Sequence, residues 1–243
     1  MEINLIIIIG ILILAILQTI VGVGILLLGT PFLLIQNFNI LDTISLLVPI
    51  SIFTSFSNLI IFNYLNNYKF EINTDTKSLF FKICIPSIFI GFFFLSKLQE
   101  IINFKYFVSI IMILSIMVTH NKNFVDMMSN KLKTIFLFLI GIIHGMTNSG
   151  GTLLSIFMKM HLNKNNARYN ITYFYLFLAL IQFIIFLIFF DLNIEIKSYF
   201  QILVFVPLSI LIGNYLVKHI YEKRFKVLIE ILGLFACTIL LIK

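Results

Sequence analysis

The chain reads as long apolar runs separated by short polar connectors. A membrane-spanning helix needs about 20 apolar residues at about 1.5 Å each. Eight runs come near that length: Ile3 to Val21, Ile44 to Leu65, Leu79 to Leu95, Phe107 to Thr119, Leu132 to Met146, Ile171 to Phe190, Phe200 to Val217 and Val227 to Ile242. Two more, Ile25 to Gln36 and Thr152 to Met160, are too short to cross. The connectors are Asn66–Lys77, Ser96–Lys105, His120–Lys131, His161–Asn170, Asp191–Ser198 and Lys218–Lys226. This pattern predicts an all-α integral membrane protein.

The two short segments each follow a full helix after a glycine-containing break. One break is Val21-Gly22-Val23-Gly24, the other Thr147-Asn148-Ser149-Gly150-Gly151. An unbroken helix from Ile3 to Gln36 would be about 50 Å long, against a hydrocarbon core of about 30 Å. The chain therefore breaks, and either continues across or turns back. Charge separates the two cases. If both breaks continue, the 17 basic residues divide 8 to 9, which gives no orientation. If both turn back, 13 lie on one side, and only Lys97, Lys105, Lys197 and Lys243 lie on the other. Cytoplasmic connectors carry the excess of Lys and Arg, so the hairpin is favoured. Both termini then face away from the cytoplasm of a multi-pass protein of the cell (inner) membrane. The N-terminus has no basic stretch and no small-x-small cleavage site, so the first run is expected to be a retained helix.

With hairpins, the chain divides into two similar halves, residues 1–120 and 121–243. Each opens with a helix, a glycine break and a short segment, and continues with three spans. Pro86 with Gly91 and Pro207 with Gly213 fall in the fourth element of each. About five elements per half is an odd number, so the second half is inserted upside down. Inverted repeats with broken helices are a common architecture of secondary transporters.

Composition supports the class. Hydrophobic residues make up 60% and charged residues 11%, against roughly 25% charged in soluble domains. The net charge of +7 is spread over connectors. It forms no basic patch with interleaved aromatics, so no nucleic-acid partner is expected. Cys84 and Cys237 sit far apart in apolar runs and read as small hydrophobes. There is no GxxxxGK[ST] loop, no HExxH and no pair of carboxylates at membrane depth. Neither an enzyme, nor a metal, nor a cofactor is expected. The partners are a lipid bilayer and a small anionic substrate, and oligomeric state is not legible.

Irregular backbone at membrane depth survives only when buried in protein or lining a wet cavity. The breaks are thus the candidate site. A helix that starts there aims unpaired N–H groups at the cavity and favours an anion without any charged side chain. The candidates are Gly22, Val23, Gly24 and Ile25 in the first half, and Asn148, Ser149, Gly150, Gly151 and Thr152 in the second. Gln18 and His144 lie just before the breaks, and a titrating His144 would offer proton coupling. Ser51, Thr54, Ser55, Ser57 and Thr172 are read mainly as bonding their own backbone or a neighbouring helix, and Tyr173 and Tyr175 are further polar residues inside a span. Asn58 and Gln182 are costlier to bury and are added to the site.

At these residues the chain resembles the sulfite exporter TauE/SafE family of membrane permeases. That family opens each half with a glycine-rich motif followed by apolar residues and a proline. The first copy here reads Gly22-Val23-Gly24-Ile25-Leu26-Leu27-Leu28-Gly29-Thr30-Pro31, with Ile25 where a third glycine is usual. The second runs from Gly141 through His144-Gly145-Met146-Thr147-Asn148-Ser149-Gly150-Gly151-Thr152, with Met158 where the proline would fall. The resemblance implies sulfite, organosulfonates or related sulfur-containing anions as substrates, carried by alternating access. A membrane scaffold or assembly protein without transport activity is the alternative. It would pack its glycines against other helices and keep the breaks dry.

Overall fold

The computed structural model describes residues 5–65, 71–72, 74–98, 130–148, 150–189 and 196–242, with isolated positions 106, 109, 110, 113 and 117. The predicted span Phe107 to Thr119 therefore lies largely outside the described residues, and Ser149 wholly so. The described elements are all helical: α1 (Leu5–Val21), α2 (Ile25–Ile35), α3 (Ile40–Leu65), α4 (Thr74–Leu79), a π-helical turn (Phe80–Cys84), α5 (Ile85–Leu98), α6 (Asn130–Thr147), α7 (Gly150–His161), α8 (Lys164–Phe189), α9 (Ile196–Leu203), α10 (Val206–Lys218) and α11 (Glu222–Ile242). Four stretches among the described residues are long and apolar enough to cross a membrane: Ile40–Tyr64, Thr76–Lys97, Lys164–Phe189 and Phe200–Lys218.

Both glycine breaks turn the chain back. Along α1 and α2 the contacts run in opposite directions. Gly24 abuts Gln18, Gly29 abuts the Leu14 side chain, and Gly10 abuts the Phe32 ring. In the second pair Gly150 abuts His144, and Phe157 stacks on Phe136 at 5.9 Å. The returning arms are short. With 11 and 12 residues, they extend about 16 and 18 Å, roughly half a bilayer core.

The fourth element is interrupted in both places where a proline was noted. The π-helical turn ends at Cys84, two residues before Pro86, and the turn Val204–Phe205 stands two residues before Pro207. Proline has no N–H to donate, and its ring crowds the preceding turn, so the ladder is re-registered or broken there. The helices that follow are gripped closely. A Cβ on Gly91 would fall on the Ile142 carbonyl of α6, and one on Gly145 would fall on the Ile88 carbonyl of α5. On the other side a Cβ on Gly213 of α10 would meet Thr19 of α1 at 2.6 Å. Thus α6 packs on α5 and α1 packs on α10, each through small residues that bring backbones together.

The long helices α3 and α8 pack on each other, and each begins earlier, within the polar connector, than apolarity alone suggests. Asn39 accepts the Asp42 N–H at 2.8 Å, and Asn163 accepts the Asn166 N–H at 3.0 Å. These are N-caps, which satisfy donors orphaned at a helix start. The predicted connector His161–Asn170 is therefore corrected. From Lys164 it is helix, and Ala167 to Asn170 are buried.

The polarity of the packing is the reverse of a soluble domain. Ile188, Phe189, Phe200, Leu211 and Leu5 are exposed. Gln18, Ser51, Ser55, Asn58, His144, Asn148 and Gln182 are buried. Lipid accepts the first set, whereas the second needs partners inside the protein.

Candidate functional site

The first break is closed by its own side chains. Gly22 has φ +95°, a conformation that favours glycine, and sits against the Ile171 side chain and the Arg168 carbonyl. Gly24 has an extended φ, so its need for glycine is steric: a Cβ would lie 2.6 Å from the Gln18 nitrogen. Gln18 then spans the break. Its Oε1 accepts the Ile25 N–H at 3.1 Å and the Ser51 hydroxyl at 3.3 Å. Its Nε2 donates to the Ser51 carbonyl at 3.0 Å and to the Ser55 hydroxyl at 2.9 Å. The Ile25 donor at the start of α2 is thereby consumed inside the protein, and Val23 is fully buried beside it.

Asn58 belongs to a neighbouring network. It donates to the Thr19 hydroxyl at 3.1 Å and the Thr54 carbonyl at 3.0 Å, and accepts from Asn214 at 3.1 Å. Arg168 completes that network. Its Nε donates to the Thr19 carbonyl at 2.7 Å, its Nη2 donates to Asn214 at 2.8 Å, and its guanidinium lies 4.5 Å from the Phe62 ring centre. Thr19 lies in the last turn of α1, where carbonyls lose their helical partners. The reading of residue 168 as a connector charge is corrected accordingly: it is a buried cap on a broken helix.

The second break has the same backbone and a different interior. Asn148 takes the left-handed conformation, φ +66°, that Gly22 takes in the first. Asparagine tolerates it better than most residues. Gly150 abuts the Cβ of His144 and the Ile140 carbonyl, as Gly24 abuts Gln18 and the Leu14 carbonyl. His144 thus occupies the place of Gln18. It spans nothing, because neither ring nitrogen makes a hydrogen bond of good geometry. The ring lies against the Gln182 side chain and the Leu178 backbone. Gln182 donates weakly to the His144 carbonyl at 3.4 Å and leaves its own Oε1 unpartnered. Both polar atoms of the Asn148 side chain and the Thr152 hydroxyl are unpartnered as well. All four residues are buried from solvent.

The residue that joins these groups was read in the sequence only as one of several polar positions in its span. Tyr175 of α8 packs its ring on Gly151 and stands edge-on to His144, with centroids 6.2 Å apart. Its hydroxyl faces the Leu26 backbone and the Ser51 side chain, but makes no well-formed bond. Tyr175 therefore reaches from the second break to the start of α2. The signal for it was available: a buried phenol in an apolar span needs a partner for its hydroxyl. Of the thirteen predicted site residues, His144, Asn148, Gly150, Gly151, Thr152 and Gln182 meet at the second break. Gln18, Gly22, Val23, Gly24 and Ile25 form the sealed first break, Asn58 sits in the Arg168 network, and Ser149 lies outside the described residues. No group of three metal-binding side chains occurs among the described residues.

A helical membrane protein with lipid-compatible walls, an internal polar cluster and broken hairpins is built like a secondary transporter. The chain belongs to the sulfite exporter TauE/SafE family, which matches residues 6–240. That is a family of membrane transporters rather than enzymes, and it accounts for nearly the whole chain. No individual curated protein and no solved structure matches the chain.

Proposed function

We propose that this protein carries small sulfur-containing anions, such as sulfite or an organosulfonate, and holds them at the second break. The observation that carries this reading is the cluster of buried, unpartnered polar atoms on His144, Asn148, Thr152, Tyr175 and Gln182. An unsatisfied polar group away from water costs on the order of 1–3 kcal/mol. A fold that keeps several in one place is arranged for something that satisfies them. The N-terminus of α7 adds backbone donors and a favourable dipole for negative charge. Asn148, Thr152 and Tyr175 add neutral donors, which suit an oxyanion that has to leave again.

The mechanism proposed is alternating access, with residues 1–120 and 121–243 as inverted repeats that rock against each other. The reciprocal packing of α1 on α10 and α6 on α5 supports that division, since each half supplies the partner of the other's first helix. The scaffold reading loses its main support. Gly91, Gly141, Gly145 and Gly213 pack against helices of the same chain and offer no small-residue face to a partner.

Flux tests the reading. Purified protein in liposomes should take up labelled sulfite or a sulfonate in preference to chloride, and Gly150→Leu should abolish this. Uptake no faster than in empty liposomes would remove the transport reading. Labelling of Gln36→Cys from outside the cell and of Asn165→Cys from the cytoplasm is expected if both termini face outward.

A further inference from the structure

The anion site proposed above is lined by neutral groups alone. His144, Asn148, Thr152, Tyr175 and Gln182 are each at most 1% exposed and each keeps a polar atom without a hydrogen bond. The charged groups of the surrounding helices stand near helix ends or are engaged elsewhere: Lys131 and Lys133 lie in the first turn of α6, and Lys82 in the π-helical turn. None occurs in α2. In α5 only Lys97 occurs, in the last turn. In α7 Lys159 is held by Glu230 of α11 at 2.6 Å. In α3 Asp42 stands in the first turn, bonded to Asn39. Arg168 of α8 is committed to Thr19 and Asn214. An anion moved into this place leaves water without meeting a countercharge, which costs several kcal/mol even after relaxation.

The surroundings of His144 offer the compensation. Both ring nitrogens and the Oε1 of Gln182 are buried without a partner, and the Gln182 N–H is turned to the His144 carbonyl. A neutral imidazole has one N–H to donate; an imidazolium has two, so it can donate to Gln182 and to an anion at once. Tyr175, the other titratable group at the ring, is an acid and can only give up a proton. Gln18, at the matching place in the first break, cannot titrate at all.

We infer that the second break takes up its anion together with one proton, which is held on the His144 ring. The inference rests on the transport reading above and adds the coupling ion to it. Imidazolium and anion enter as a neutral pair, so each offsets the charge the other would bury alone. The proton binds from the side on which the anion enters and leaves with it. A monovalent anion therefore crosses without net charge, driven by a pH gradient and insensitive to membrane potential.

The test uses liposomes with a pH dye inside and either sulfite or methanesulfonate outside; the latter has no proton that titrates near neutrality. Addition of the anion should acidify the lumen with the same saturation as labelled-anion uptake. One pH unit, acid outside, should drive up to about tenfold accumulation. A potential set with potassium and valinomycin should change neither. In folded His144→Gln protein the accumulation driven by the gradient should be lost. Wild-type uptake that is driven by potential, or that brings no acidification, overturns the inference and leaves the transport reading standing. Gradient-driven accumulation that persists in folded His144→Gln takes the proton off His144 and also overturns it. No uptake of either anion by the wild type removes both readings. Should His144→Gln not fold, His144→Asn, which likewise cannot titrate, is read by the same loss of gradient-driven accumulation.

Discussion

The two breaks of this chain share a backbone and differ in what fills them. Each has a left-handed residue, Gly22 or Asn148, two positions before a helix-starting glycine, Gly24 or Gly150. In each, that glycine rests on the residue six positions earlier, Gln18 or His144. Gln18 then uses both ends of its amide and closes the first break with bonds to Ile25, Ser51 and Ser55. His144 closes nothing, and the second break keeps its polar atoms unspent. One backbone geometry is thus braced in the first half and left unbraced in the second, and the side chain before the break decides which.

Substitutions that both breaks should feel equally have the largest expected effect. Gly24→Ala and Gly150→Ala each drive a Cβ to 2.5–2.6 Å of neighbouring atoms, including backbone in both cases. Each should cost about 3 kcal/mol, at the upper end for overpacking, seen as loss of monodisperse protein in detergent. Next comes the substitution pair that should separate them. Gln18→Leu removes bonds to three residues and should destabilise by about 2–3 kcal/mol, from a net value of about 0.6–1 kcal/mol per bond. His144→Leu breaks no well-made bond and should leave the unfolding temperature unchanged or raised, while flux is lost. Binding sites are often bought with stability in this way. Equal destabilisation by Gln18→Leu and His144→Leu would erase the distinction between the breaks.

Smaller effects sharpen it. Gly22→Ala places a Cβ in a left-handed conformation against Ile171 and should cost about 1–2 kcal/mol by thermal unfolding. The smallest expected change in stability is that of Tyr175→Phe, below about 1 kcal/mol, since its hydroxyl makes no well-formed bond. Uptake should nevertheless fall about tenfold, equivalent to one lost hydrogen bond to the anion.

Much of the fold was legible because lipid imposes simple rules. Run length gave the helices, and the charge split gave hairpins, which the contacts of Gly10 with Phe32 and of Gly29 with Leu14 show directly. Helix starts were less legible. Asn39 and Asn163 look like connector residues, and only their bonds to Asp42 and Asn166 mark them as caps. Arg168 was misplaced for the same reason, since a cation near a connector looks cytoplasmic until its carbonyl partner is known. The breaks themselves were legible from glycine spacing. Their inequality was not, because Gln18 and His144 are both polar residues in matching places. Which one is satisfied depends on Ser51 and Ser55, 33 and 37 residues away along the chain. Tyr175 is visible as a polar residue in its span, but its place between the two hairpins is a relation that no local pattern records.

On the proposed function the anion is held at the second break and not at the first. Equilibrium binding of radiolabelled sulfite to purified protein tests it most directly, with Asn148→Gly as the variant. Glycine keeps the left-handed backbone at that position and removes only the side chain. The account predicts saturable binding of one anion per chain in the wild type. In a variant that unfolds no earlier, it predicts a loss of affinity of at least about tenfold, the size of one hydrogen bond to a charged ligand. Wild-type affinity in Asn148→Gly, or two equivalent anions per chain, would contradict it.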